Sequence, residues 1–219
     1  MTATALCLTR DRRRWLPRAI RSFQQQAYDN REMLILASGE SVRDLIPDDS
    51  RIWLVDNVQE DMPIGEKRNL GCSMIKTDVV AVWDDDDWSE PGRLGDQIAR
   101  LQQTGKAVTG YHTMKFTDGS RWWQYQGWPA FAVGTSLCFL RSWWEAHRFR
   151  PQHIGEDYEF VVESFSKRQF IAAGDLNLMF ASIHDSNTSP RDRKAGFRWV
   201  ELPGFSWPGE SPYSEVTFT

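Results

Sequence analysis

Cysteine is scarce in this chain. Its three cysteines, Cys7, Cys72 and Cys138, lie far apart in 219 residues. That excludes a disulfide framework and any metal-type cysteine spacing. Cys7 and Cys138 sit in apolar runs and read as small core residues, and an odd, unframed set fits a reducing cytoplasm. Long apolar runs are also missing: none approaches the ~20 residues that span a bilayer. The opening MTATALCLTRDRRRW is no secretory leader, because its apolar stretch is short and the charges follow it. A soluble, cytoplasmic protein is expected. Strong net charge is absent too; the formal balance of -4 lacks the basic excess of a dedicated nucleic-acid binder. No internal repeat and no linker divides the chain. With 41% hydrophobic residues, a single domain around one sizeable core is expected.

What is present is unevenly placed. Arg10, Arg12, Arg13, Arg14, Arg18 and Arg21 crowd the N-terminal region. They read either as the solvated face of a first helix or as an anion-binding rim for phosphates. Residues 4–9, 32–38, 51–57 and 78–83 are short apolar runs of β type. Between and after them lie helical patterns. Trp15, Leu16, Ala19, Ile20 and Phe23 recur at helical spacing, with Pro17 tolerated in a first turn. A second helix follows Gly65. A third carries Leu94, Ile98 and Leu101 on one face and stops at Gly105. Strand and helix therefore alternate, which predicts a mostly parallel sheet with helices on its faces. In such sheets ligands bind beyond the carboxyl ends of the strands.

The second half differs. Paired strands are predicted around the Asp118-Gly119 turn, then a strand and short helix in GTSLCFLRSWWEAHRF, and a helix over residues 155–169. Further strands end at His184. Beyond Asp185 the composition loses periodicity and reads as an irregular lid or packed extension.

Four groups of residues carry candidate chemistry. Asp84, Asp85, Asp86 and Asp87 stand in a row where the fourth strand ends. Carboxylates this close raise one another's pKa unless a cation compensates, and Mg²⁺ or Mn²⁺ takes such oxygen ligands. Extended alternation places Asp84 and Asp86 on one side and turns Asp85 and Asp87 another way; Asp85 is expected to tolerate substitution best. Lys67 and Arg68 fall in the first turn of the helix after Gly65, which suits a phosphate or is an ordinary solvated helix start. Glu156 and Asp157 open a helix, either as capping acids or as a general base. His184 follows an apolar strand, either as a structural residue or completing a metal shell.

In this order TRDRRRWLPRAIRSFQQQ, GEKRNLG, VWDDDDW, GTSLCFLRSWW, GEDYEF and HDSNTS resemble the family 2 glycosyltransferases of the GT-A fold, over roughly residues 4 to 190. The resemblance implies a Rossmann-like, mostly parallel sheet flanked by helices, with a small antiparallel part on the acceptor side. It implies one catalytic domain over 1–219: a nucleotide-sugar half at 1–105, an acceptor half at 106–190 and an irregular extension at 191–219. By the same resemblance, Asp84, Asp86 and Asp87 hold Mn²⁺ or Mg²⁺ with His184, and Asp157, beside Glu156, is the base of an inverting transfer. Thr9, Arg10, Arg12, Gly39, Lys67, Arg68, Asn69, Asp84 and Asp85 are the implied donor-binding set. One departure stands out. The acidic turn that follows the family's second strand reads Ala37-Ser38-Gly39-Glu40 here, leaving Glu40 or Asp56 as its nearest substitutes.

The implied reaction moves a sugar, hexosyl or pentosyl, from a nucleotide-diphosphate sugar to an acceptor hydroxyl. The acceptor is a saccharide or a hydroxymethylated base in phage-type DNA. Trp122, Trp123, Trp128, Trp143 and Trp144 fall on the acceptor side, where each is either a stacking face or core packing. Two other classes compete. A nucleotidyltransferase is expected to show glycines near the first strand, which TRDRRR lacks. A non-catalytic nucleotide-sugar-binding module needs none of the retained Asp157 chemistry.

Overall fold

A computed structural model describes residues 1–174, 177–187, 198–207 and 212. The first four strands are β1 (Ala3–Arg10), β2 (Arg31–Ser38), β3 (Ile52–Val55) and β4 (Val79–Asp84). Helices α1 (Leu16–Gln24) and α2 (Ile64–Met74) connect them. The two-residue strand β5 (Trp88–Ser89) and helix α3 (Arg93–Thr104) follow β4. The later elements are β6 (Val108–Tyr111), β7 (Thr113–Thr117), β8 (Trp122–Gln126), β9 (Cys138–Leu140), α4 (Arg141–Ala146), α5 (Glu156–Ser166), β10 (Phe170–Ala173), β11 (Met179–Ser182) and β12 (Trp199–Glu201).

A seven-stranded sheet runs in the order β3-β2-β1-β4-β9-β6-β10. All its pairings are parallel except those of β9 with β4 and with β6. Both faces are covered, so the central strands are buried almost continuously, as a parallel sheet requires. Alternation along β1 still sorts its side chains. Ala5 and Cys7 join α1 and α3 through Leu16, Phe23, Ile98 and Leu101. Leu6 joins the opposite layer with Cys72, Phe139 and Phe160. All three cysteines are free and buried.

Local chemistry fits these elements. Pro17 sits in the first turn of α1, where its missing N–H is harmless. Gly105 ends α3 in the left-handed region at φ 65°.

A second, five-stranded sheet has the order β12-β8-β7-β11-β5. The predicted hairpin around Asp118 and Gly119 is β7 with β8. Two features were not legible as strands. β5 lies just after the aspartate row and pairs with β11. β12 lies in the stretch expected to be irregular and pairs with β8. Its Trp199 ring packs 4.9 Å from Phe116 and 5.1 Å from Tyr125, so aromatic burial organises a segment without periodicity. Most of the remaining extension, with Thr188 and Ser189, lies outside the described residues. Trp123, Trp143 and Trp144 are core residues, and Trp122 packs against Phe180, Phe205 and Trp207. Trp128 alone of the five is open, at 59% exposure. Among the described residues no helix is long and apolar enough to cross a membrane.

Helix α2 approaches β1 through Gly71: a Cβ there would lie 2.4 Å from Leu6 Cδ1. Gly71→Ala should therefore overpack this contact and destabilise the protein by about 1–3 kcal/mol. Urea unfolding measures this; an unchanged midpoint would show that α2 is not packed this closely.

Candidate active site

Strands β1 and β4 are neighbours, with Leu8 opposite Asp84. The end of β1 with the following residues 11–12, and the four aspartates, therefore stand side by side at the sheet's carboxyl edge. They open a cavity of about 420 Å³. Its other walls are Lys67 and Arg68 of α2, Thr135, residues 155–157 at the start of α5, and Ser182, Ser186 and Asn187 from β11 onward.

The aspartates are not equivalent. Asp84, Asp86 and Asp87 each offer an oxygen, all within 4.8 Å of one another. Because β4 ends at Asp84 and the chain then turns, strand alternation no longer holds and Asp87 joins the cluster. Asp86 Oδ2 accepts from Arg12 Nη1 (3.0 Å) and Asn187 Nδ2 (3.1 Å), and pairs with His184 Nε2 (2.9 Å). Asp87 accepts from the Ser182 N–H (2.9 Å) and the Thr135 hydroxyl (2.6 Å). Asp85 is buried and accepts from Arg12 Nη1 at 3.1 Å. It is thus no free surface residue, and the expectation that it tolerates substitution best is corrected.

Burial raises the Asp85 carboxyl to about 7, with the neighbouring Asp86 charge adding to it. Burial raises Asp84 and Asp87 too. Burial also pulls Asp86 upward, but its His184 bond and the Arg12 charge outweigh this and hold it below the usual range.

His184 lies behind the cluster. Its ring is buried, stacks on Trp15 at 4.4 Å and contacts Ser186 Oγ through Nδ1. It steadies Asp86 and is not one of the three clustered ligand candidates among the described residues.

Glu156 pairs with Arg68 at 3.3 Å, both side chains being buried. Burial raises its carboxyl and Arg68 partly offsets that. Glu156 thus lines the cavity with its carboxylate paired to Arg68. Asp157 accepts from the Tyr158 N–H through Oδ1 (2.7 Å). Its Oδ2 occupies the space of an absent side chain, 1.7 Å from where a Cβ on Gly134 would stand.

Thr9, Arg10, Arg12, Lys67, Arg68, Asp84 and Asp85 line the cavity as expected, and Asn69 does not. Asn69 is turned inward, donating to the Phe149 carbonyl (2.8 Å) and accepting from Trp144 Nε1 (2.8 Å). One residue along a helix is a rotation of about 100°, so Arg68 lines the cavity while Asn69 turns off its wall. Gly39 is also off the cavity wall, packed against Asp11. Neither Glu40 nor Asp56 reaches the cavity: Glu40 pairs with Arg13 at 3.3 Å, and Asp56 accepts from Ser41 Oγ at 2.6 Å. Thr135 and Asn187 fall inside GTSLCFLRSWW and HDSNTS but were not singled out there, and Ser182 lies in none of the motifs; the fold brings all three to the aspartates.

The family profile described as Glycosyl transferase family 2 matches residues 7–168. Solved structures share the fold. S. aureus TarS 1-349 in complex with UDP-GlcNAc aligns with a TM-score of 0.69 and 13% identity, over 86% of this chain and 60% of that one. A longer S. aureus TarS structure gives 0.67 and 12%, over 84% and 37%. The mannosyltransferase PcManGT from Pyrobaculum calidifontis, in complex with GDP-Man and Mn²⁺, gives 0.65 and 12%, over 83% and 56%. This chain thus spans 37% to 60% of their lengths, and identities this low show the shared fold alone. No curated protein matches the sequence.

The raised Asp85 carboxyl predicts a pH signature. Folded, Asp85 keeps its proton up to about 7; unfolded, it releases it near the ordinary ~3.9. Its contribution to stability is therefore complete below the unfolded value and lost as pH rises through the folded one, at about 1.4 kcal/mol per pH unit once both states differ by a full proton. Without divalent cation, the wild type should lose stability relative to Asp85→Asn between pH 5 and 7. Parallel denaturation profiles for the two proteins would contradict this.

Proposed function

The chain belongs to glycosyl transferase family 2, and from that premise we propose that it moves a sugar from a nucleotide-diphosphate sugar to an acceptor hydroxyl, in one metal-dependent inverting displacement. The observation that carries this reading is one cavity holding both the three-carboxylate cluster and a separately anchored carboxylate, Asp157.

The cluster fits a divalent cation of the Mg²⁺ or Mn²⁺ type. Its ligand atoms are carboxylate oxygens, close enough for one ion and mostly buried. Asp84, Asp86 and Asp87 would hold it, with His184, Asn187 and Arg12 orienting Asp86 and with Thr135 and Ser182 orienting Asp87. When bound, the cation supplies positive charge against the leaving nucleoside diphosphate. That a mannosyltransferase of this fold is seen with GDP-Man and Mn²⁺ supports the same class of ligands here.

Arg68 adds fixed charge. Its Nη2 is held by Glu156, while the buried Nε and Nη1 have no hydrogen-bond partner among the described residues. Buried donors are rarely left unpaired, and a diphosphate oxygen supplies what they lack. Asp157 takes the proton of the attacking hydroxyl. The Tyr158 N–H fixes one oxygen, and Gly134 leaves room for the other. Attack opposite the leaving group in one step inverts the anomeric centre, by the logic that separates one-step from two-step glycoside hydrolysis. The acceptor we favour is a saccharide hydroxyl, with a hydroxymethylated DNA base as the alternative.

The test is a thermal-shift screen of sugar nucleotides with and without Mn²⁺, where binding at a hundredfold excess over Kd adds about 2.7 kcal/mol. Absence of any metal-dependent shift sinks the reading. Asp157→Asn should keep donor binding and lower transfer by about 10²–10⁴-fold. Transfer at the wild-type rate would overturn the base assignment, and donor binding without any turnover by the wild type would favour a non-catalytic module.

A further inference from the structure

We propose that Asp11 and Lys67 read the nucleobase of the donor, selecting one that shows a ring N–H beside a carbonyl, uracil or guanine, over cytosine and adenine. This rests on the donor-site reading above.

The cavity has two polar ends. One is the carboxylate cluster at the end of β4. The other lies across β1, toward β2. Lys67 Nζ donates to Ser38 Oγ (2.8 Å) and to the Glu60 carbonyl (3.2 Å), and Ser38 is the last residue of β2. Strands β4, β1 and β2 are consecutive in the sheet. Asp84 is level with Leu36 across β1, so Ser38 lies two strands over and two residues further on, about 12 Å away. A diphosphate at the cluster thus directs its nucleoside across the end of β1 toward Lys67 and Asp11, both of which line the cavity.

The chemistry of that end is specific. Lys67 is buried, and its hydrogen-bond partners, a hydroxyl and a carbonyl, are both neutral. An ammonium has three N–H donors, so one remains for an acceptor such as a base carbonyl. Asp11 supplies the opposite sense, since an ionised carboxylate only accepts. Its placement is built. Asp11 adopts φ 53°, an uncommon conformation outside glycine. The Glu40 N–H donates to its Oδ1 at 2.9 Å. A Cβ on residue 39 would stand 2.2 Å from that oxygen, so only glycine there admits the carboxylate. Backbone strain of this kind persists where the surroundings over-determine it. An acceptor and a donor at one end of the cavity match a ring N–H flanked by a carbonyl. Cytosine and adenine have no such N–H, and a site built for a hydrogen bond rejects an analogue that lacks the partner.

Calorimetry with UDP, GDP, CDP and ADP in the presence of Mn²⁺ tests the proposal on the full chain. The wild type should bind UDP, GDP or both at least tenfold more tightly than CDP and ADP; the UDP and GDP arms show which base fits. Asn tolerates a left-handed backbone and carries a donor beside its acceptor. Asp11→Asn should therefore keep its fold and shrink the preference to less than threefold. Lys67→Met, which keeps the stem and removes the donors, should weaken UDP and GDP at least tenfold. If Asp11→Asn weakens all four equally, Asp11 holds the ribose and the proposal falls. If it changes nothing, or if the wild type does not discriminate, the proposal falls while the donor site stands. Failure of all four to bind the wild type removes the donor site and the proposal together.

Discussion

Carboxyl groups buried side by side must either keep protons or have positive charge built around them. Asp85, Asp86 and Asp87 are all buried, and Asp84 is half-buried. Four guanidinium groups answer them from different parts of the chain. Arg12 bonds Asp85 and Asp86 directly. Arg18 donates to the Asp86 carbonyl and to Ser182 Oγ. Arg68 reaches the site through Glu156 and by its charge on Asp84. Arg93, 1% exposed, stands behind the row and donates to the carbonyls of Val82 and Thr135. The N-terminal arginines thus divide: Arg12 and Arg18 turn toward the site, while Arg13 ties the first loop to Asp44 at the surface.

The sheet order makes this convergence possible. Placing β4 next to β1 sets the aspartates beside the first loop. Antiparallel β9 on the other side of β4 positions the turn at Gly134–Ser136, and with it Thr135 over Asp87 and Gly134 under Asp157. The small sheet then returns β11 to the same edge, delivering Ser182 to Asp87 and the following His184 and Asn187 to Asp86. The carboxylates are held by residues separated by almost a hundred positions, so the site exists only once both sheets have formed.

Most of the fold was readable because its elements announce themselves locally. Apolar runs gave β1 to β4, helical periodicity gave α1 and α3, and Asp118-Gly119 marked a hairpin. β5 escaped because two residues carry no period, and β12 because tertiary aromatic packing creates it. The chemically conspicuous aspartates, Arg68 and Asp157 were legible as candidates, and one cavity brings them together. Residues that act by orientation were not. Asn69 looks like a binding residue in GEKRNLG, yet its helical angle commits it to Trp144 and Phe149. Ser182 looks ordinary in sequence, and only the placement of β11 beside β7 and β5 brings it to Asp87.

The central claim is that Asp84, Asp86 and Asp87 form the cation site of a donor cavity while Asp157 and His184 stand outside the coordination sphere. Anomalous diffraction at the manganese edge, from crystals grown with Mn²⁺ and a nucleoside diphosphate, addresses it directly. The account predicts one ion on those three carboxylates, with His184 bonded to Asp86 and not to the metal. An ion ligated by Asp157, or a bound diphosphate with no ion at the aspartates, would contradict it.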